Sequence, residues 1–296
     1  MNSNLIQMNS VTKEFGDTVA LQGIDWKLPQ GSCVGLLGRN ASGKSTLMRI
    51  AAGLMLPTGG SCLTLGVEAR NLGEKQLASI GAVHQEPDLL DWLSIEQHVR
   101  YIAAFYSTWD MDLERRLRRE FELEGKRSVG SLSPGIRQRL ALLLAVCHHP
   151  ALLLLDEPGA ALDPIARAEA MEIILERAIE DGTTVVISSH VLHDVEKIVD
   201  RVLCIDQGRV VEDATLDDLK DSYAEWVITS RGGDLPARFN EDYVLAREGE
   251  GRQARLSVRA GTDCMEQFSA AHNVDIQSAG LDLEGLFPLL VGGERA

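Results

Sequence analysis

The sequence predicts an α/β fold with a mixed, mostly parallel sheet, an antiparallel β subdomain, a helical insertion and a small α+β unit at the C-terminal end. Three observations carry that prediction. Short apolar runs (Cys33–Leu37, Ala151–Leu155, Thr183–Ser188) alternate with segments of helical period. A glycine-punctuated loop joins the first of these runs to a helix. Beyond about Lys220 the pattern resets to strands divided by glycine- and charge-rich turns.

In chain order, Leu5–Val11 and Val19–Trp26 are strand-like and flank a turn at Phe15-Gly16-Asp17. Cys33–Leu37, bounded by Gly31 and Gly38, has the uninterrupted apolar character of a parallel strand buried on both faces. Thr46–Leu54 is helical in pattern. Pro87 to Gly130 is rich in Leu, Glu and Arg at helical spacing, and the insertion is bounded at about residues 87–150, taking in a helix from Pro134 to Cys147. The strand Ala151–Leu155 follows. Asp163-Pro164 starts a helix, since Asp favours the N-cap and Pro the first helical position, and Asp181-Gly182 ends it. Thr183–Ser188 is a strand, His190–Val199 helical, and Val202–Ile205 with Val210–Val211 a hairpin around Gln207-Gly208. In the tail, Tyr223–Ser230, Tyr243–Arg247 and Arg255–Arg259 read as strands and Met265–His272 as a helix. The expected domains are residues 1–220 and 221–296.

Composition narrows the function classes. The chain has 296 residues, 45% apolar and 25% charged, enough to bury a sizeable core. The formal net charge of −15 lacks the basic excess that neutralises phosphates, so no nucleic-acid partner is expected. The one dense basic cluster, Arg115, Arg116, Arg118 and Arg119, reads as a solvated helix face. Cys33, Cys62, Cys147, Cys204 and Cys264 are scattered without a C-x-x-C pair, as expected of small buried hydrophobes in a reducing compartment. There is no signal-peptide pattern, and no apolar run approaches the ~20 residues of a membrane span.

Gly38-Arg39-Asn40-Ala41-Ser42-Gly43-Lys44-Ser45 matches G-x-x-x-x-G-K-[ST] and is followed by Thr46. The glycines let the backbone turn tightly so that successive N–H groups point at one anion, and the following helix adds its positive end. Lys44 is placed to neutralise the β- and γ-phosphate oxygens, and the Ser45 hydroxyl to ligate Mg²⁺. The segment resembles the phosphate loop of P-loop NTPases, with ATP and Mg²⁺ as the expected ligands. Leu152–Leu155 runs into Asp156-Glu157. A carboxylate buried at a strand end is costly unless a cation pairs with it. Asp156 is therefore a Mg²⁺ ligand candidate, and Glu157 the group to orient or deprotonate an attacking water. His190, His193 and Asp194 lack the cysteine or glutamate partners that zinc prefers.

From these motifs the chain resembles the nucleotide-binding domains of ABC ATPases over about residues 4–215. Leu132-Ser133-Pro134-Gly135-Ile136 stands where the family carries its LSGGQ signature. Gln85, in Val83-His84-Gln85-Glu86-Pro87, resembles the Q-loop glutamine, Ala161-Leu162-Asp163 the D-loop, and His190 the switch histidine; Phe15 fits the position that stacks on adenine. The resemblance implies catalytic roles for Glu157, His190 and Gln85, and a Mg²⁺ set of Ser45, Gln85 and Asp156. It also implies a second nucleotide-binding subunit, in a homo- or heterodimer. ATP would sit between the phosphate loop of one and the Ser133, Gly135 and Asp163 of the other.

The same resemblance implies a separate transmembrane permease subunit at the cytoplasmic face, with Arg49, Asp88–Leu93 and the helical insertion near it. Leu281–Phe287 resembles the Leu-Glu-Asp-x-Phe element of drug- and lipid-export subunits. Two positions depart from the signature. Pro134 replaces a glycine, which suits a first helical residue after a Ser133 cap, and Ile136 replaces a glutamine. The alternative is an ATP-driven dimerising module acting on the ribosome or DNA. Relatives of that kind carry paired domains, long coiled coils or basic surfaces, whereas this acidic chain shows one domain.

Overall fold

A computed structural model describes residues 4–123, 127–259 and 262–292. The N-terminal strands β1 (Asn4–Phe15) and β2 (Thr18–Pro29) form an antiparallel pair; β3 (Cys33–Leu37) then leads into helix α1 (Lys44–Ala51). Next come β4 (Gly59–Thr64), β5 (Val67–Glu68), α2 (Glu74–Leu77) and β6 (Ile80–Val83). The insertion supplies α3 (Ile95–Ala103), α4 (Met111–Glu120) and α5 (Pro134–Val146). Strand β7 (Leu152–Asp156), α6 (Pro164–Glu180), β8 (Thr184–Ser188), α7 (Leu192–Glu196), β9 (Arg201–Asp206), β10 (Arg209–Thr215) and α8 (Leu216–Ser222) complete the first unit. The tail adds β11 (Ala224–Ser230), β12 (Val244–Glu248), β13 (Gln253–Val258), α9 (Thr262–His272), β14 (Val274–Gly280) and α10 (Leu283–Val291).

The central sheet has the order β10-β9-β3-β8-β7-β6, with β9, β3, β8, β7 and β6 running parallel. Strands β3, β7 and β8 are buried at every position, as a parallel sheet covered on both faces requires. Alternate residues divide between two cores. Leu153, Leu155, Val185 and Ile187 meet the helical layer. Leu152, Leu154, Val34 and Leu36 meet α1 and the antiparallel sheet β2-β1-β4-β5. Four of the cysteines are buried in these cores, and burial pushes the Cys62 thiol up to about 11 and Cys33 to about 12.

Caps set the helix starts. Ser133 and Asp163 each accept backbone N–H groups ahead of a proline at the first helical position, as expected from sequence. Ser94 and Gln97 form a capping box at α3. Asp110 caps α4, accepting from Asp112 N (2.9 Å) and Leu113 N (2.8 Å). Through His149 this cap also reaches the end of α6: Nε2 lies 3.2 Å from Asp110 Oδ2, and Nδ1 2.7 Å from Asp181 Oδ2. The basic cluster of α4 is a salt-bridged helix face, Arg115 pairing with Asp112, Arg116 with Glu120 and Arg118 with Glu114.

Local expectations differ from the structure at two points, and the tail divides. His190–Val199 yields a helix only over Leu192–Glu196, because Ser189 and His190 form the loop that turns towards Glu157. β4, β5, β6 and β14 were not expected: β4, β6 and β14 form through pairing with the distant β1, β7 and β11, and β5 closes a tight hairpin on β4. The described residues of the tail divide between two cores. The sheet β12-β13-β11-β14 and α9 enclose a separate core around Trp226, Leu256 and Phe268. Helix α10 instead returns to the first unit and buries Leu283, Leu286 and Val291 in the helical-layer core, since its apolar face finds a larger dry surface there.

The Leu113 N–H, first among several donors, holds the Asp110 carboxyl below its ordinary range. A depressed carboxylate stabilises the fold above its unfolded pKa and loses that contribution as pH falls through the folded one. Asp110→Ala is expected to cost about 1 kcal/mol in urea titration at about pH 7. The gap from the parent should narrow by about pH 3; an undiminished gap there would contradict the cap's ionic character.

Candidate active site

The functional side chains gather at the carboxyl edge of the central sheet, where open α/β sheets bind ligands. The phosphate loop follows β3, Asp156 ends β7, Ser188 ends β8, and Gln85 lies two residues past β6. Because β8 pairs with both β3 and β7, Ser188 stands between the phosphate loop and the acidic pair.

Gly43 has φ 110°, and a Cβ there would lie 2.7 Å from Leu21 Cδ2 and 2.8 Å from the Ala20 carbonyl. At Gly38 a Cβ would meet the Ile205 carbonyl at 2.3 Å and Ser42 Oγ at 2.4 Å. Glycine is thus a packing requirement at both positions as well as a torsional one. The β9–β10 turn props the loop from behind: Gly208 N–H donates to the Ser42 carbonyl (3.0 Å), and Gln22 N–H to the Gly208 carbonyl (2.7 Å). Lys44 Nζ donates to the Gly38 (2.7 Å) and Arg39 (3.1 Å) carbonyls, bent over the loop it serves. Burial lowers its ammonium below the ordinary lysine range, opposed by the charges of Glu157 and Asp156. Ser42 Oγ is buried with no protein partner. A loop with an orphaned hydroxyl, a folded-back ammonium and no room for Cβ atoms fits a phosphate chain. Arg39, Asn40 and Ala41 line its exposed rim, and Ser45 and Thr46 sit half-buried at the start of α1.

Asp156 is buried. The Ser188 hydroxyl donates to Asp156 Oδ1 (2.7 Å) and accepts the Glu157 N–H (2.9 Å). Sequence reasoning gave Ser188 no role; its only signal was its place beside His190 at the end of a strand. Glu157 has φ +49°, a left-handed conformation costing about 1–3 kcal/mol for a residue with a side chain. That turn sends its carboxylate to His190, whose Nδ1 lies 2.6 Å from Oε2 and whose backbone N–H donates to the same oxygen at 3.3 Å.

Among the described residues, no hydrogen bond joins the remaining candidates to this cluster. Gln85 is exposed on its loop. Phe15 is half exposed at the end of β1, with Lys13 Nζ 5.0 Å above its ring. Ser133, Gly135 and Asp163 group with each other: a Cβ at Gly135 would lie 3.1 Å from the Ala161 carbonyl and 3.3 Å from Leu162. The carboxylate of Asp163 is engaged with Ile165 N–H and Ala166 N–H in its own helix cap. Ile136 rests half-buried against the helical-layer core, so the departure from glutamine adds packing to α5. Arg137 pairs with Asp91 Oδ1 (2.5 Å) and donates to the Val129 carbonyl (3.2 Å), fixing the segment before the signature. No group of three or more His, Cys, Asp or Glu suited to a metal occurs among the described residues.

Gly43→Ala is expected to abolish binding of a fluorescent ATP analogue, because the added methyl displaces the loop. Circular dichroism should stay near the parent's. Retained affinity would mean that the loop does not need this glycine.

The chain matches the ABC transporter family over residues 21–160. It is 32% identical over 307 residues to the bacitracin transport ATP-binding protein BcrA of Enterococcus faecalis, covering 98% of this chain and 97% of that one. It is also 32% identical over 221 residues to the probable multidrug ABC transporter ATP-binding protein YbhF of Escherichia coli (strain K12), spanning 73% of this chain and only 38% of that relative's length. Among solved structures, the dimeric ATP-binding cassette MJ0796 in a post-hydrolysis state with ADP and Pi aligns with a TM-score of 0.62 at 27% identity, over 71% of this chain and 98% of that one. The phosphate loop, the acidic strand end and these likenesses agree: the chain belongs to the ABC transporter family, among its ATP-binding proteins.

Proposed function

We propose that this chain is the ATP-hydrolysing motor of a membrane transporter, coupled to a separate permease subunit. The observation that carries the reading is the coincidence of Lys44, Asp156, Glu157, Ser188 and His190 at one sheet edge, in a chain of this family. Lys44 and the loop amides bind the triphosphate. Ser45, Asp156 and Gln85 would hold Mg²⁺, which would supply charge neutralisation at the phosphate oxygens. Glu157 orients the attacking water and accepts its proton, and His190 keeps that carboxylate aimed. Phe15 offers its exposed ring to the adenine.

Ser133, Gly135 and Asp163 group around two helix starts and, among the described residues, make no hydrogen bond to the phosphate loop of their own chain. That separation supports a head-to-tail pair, in which a second nucleotide-binding subunit presents them to the γ-phosphate. No described helix is long and apolar enough to cross a membrane. The family membership supports a motor acting at the cytoplasmic face through a separate permease. A groove of about 190 Å³, lined by Asp88, Leu89, His98, Ile102, Tyr106 and His148, is the docking place for a permease segment. Burial holds both histidines below the ordinary imidazole range, which favours their neutral rings. Residues 1–220 form the motor domain, with the insertion at 87–150. The tail, residues 221–296, is a small accessory unit tied back by α10. Its inclusion in the alignment with BcrA, a transport ATP-binding protein, supports a role for it in transport.

Glu157→Gln is expected to retain Mg²⁺-dependent ATP binding while hydrolysis falls by about 10²-fold or more. A phosphate-release assay beside nucleotide binding checks it, and full turnover by the variant removes Glu157 from its role. Crosslinking in native membranes should recover an integral membrane protein; recovery of ribosomal RNA would redirect the reading.

A further inference from the structure

The contact between Glu157 and His190 is close, yet His190 is 61% exposed and no core packs its ring in place. Its position therefore depends on the loop that carries it. One side chain touches both that loop's continuation and the loop that carries Glu157. Arg167 lies on α6, one turn past Asp163. Its stem covers Gly159, two residues beyond Glu157, so closely that a Cβ at Gly159 would lie 2.4 Å from both Cγ and Cδ of Arg167. Its Nε donates to Asp194 Oδ2 at 2.9 Å, and Asp194 is on α7, four residues beyond His190. Both partners are largely shielded, with side-chain exposures of 19% and 24%. Pro158, Gly159, Ser189 and Val195 close the small hollow around the pair.

Ion pairs shielded from solvent hold geometry better than surface ones, and an arginine offers stem and planar head together where lysine offers only a point charge. Neither Arg167 nor Asp194 reaches the reacting groups. We propose that Arg167 is a positioning residue for hydrolysis: covering Gly159 while paired to Asp194, it sets the register between the loops of Glu157 and His190. The inference rests on the catalytic reading of those two residues. It also gives a reason for glycine at position 159, where any side chain would displace the arginine stem.

The test uses the full-length chain and compares the parent with E157Q, R167M, R167K, D194N and G159A. Hydrolysis, nucleotide affinity, melting temperature and hydrogen–deuterium exchange of residues 188–194 are measured on each. R167M and D194N are expected to lower kcat about 10-fold or more, equivalent to about 1.4 kcal/mol in the barrier. KM and ATP affinity should stay within about twofold of the parent's. Exchange in the 188–194 segment should rise. G159A should reproduce the R167M pattern, and R167K should recover part of the rate. Parent-like kcat in R167M and D194N, with E157Q inactive, overturns the positioning role alone. A kcat loss that merely tracks a fall in melting temperature, with segment 188–194 unchanged, overturns it as well. Full turnover by E157Q instead removes the catalytic reading beneath it.

Discussion

Parallel pairing of β8 with both β3 and β7 is the constraint on which the site depends. Cys33–Leu36 lie in register with Val185–Ser188, and Leu152–Asp156 with Thr184–Ser188. Every residue in these stretches is buried, so a one-residue slip would exchange the apolar sets facing the two cores and disturb both. With the register fixed, three strand ends come level, and their loops have one place to meet. The phosphate loop, the acidic pair and His190 converge because the strands beneath them cannot slide.

Electrostatics then refines what topology has assembled. Asp156 is a buried carboxylate, which would be costly without partners. The Ser188 hydroxyl and the Lys44 charge supply them. The left-handed turn at Glu157 stores local strain beside the reacting position, and the Ser188 hydroxyl that receives its N–H helps to maintain it. The Glu157 carboxylate therefore points out of the strand line towards His190 instead of continuing the β pleat.

A second group of residues follows a different logic. Ser133, Asp163 and the prolines after them are helix starts before they are anything else, and their side-chain oxygens satisfy helical N–H groups. The contact of Gly135 with Ala161 and Leu162 joins the two helix starts into one surface. Pro134 is an ordinary first helical residue, and Ile136 exchanges a polar side chain for packing against the core. These departures leave the cap at Ser133 in place and alter only the chemistry that α5 presents beyond it.

Local chemistry was legible in the sequence wherever it sufficed. Torsional freedom at Gly38 and Gly43, the cation at Lys44, the apolar strand ending in Asp156-Glu157 and the Asp163-Pro164 helix start each rest on a few adjacent residues, and the structure keeps them where the pattern put them. What the sequence could not specify was anything held by a partner far along the chain. Strands β4, β6 and β14 lack strong patterns of their own and form through pairing. Ser188 looks like any strand serine until β8 lies beside β7 and brings it 2.7 Å from Asp156. Helix α10 falls within the tail by sequence but joins the first unit because its apolar face is buried there. Residue type and short-range spacing determined which chemistry the chain can perform. Only the packing of distant strands, which brings together groups from well-separated positions, decided where those groups meet and how they are aimed.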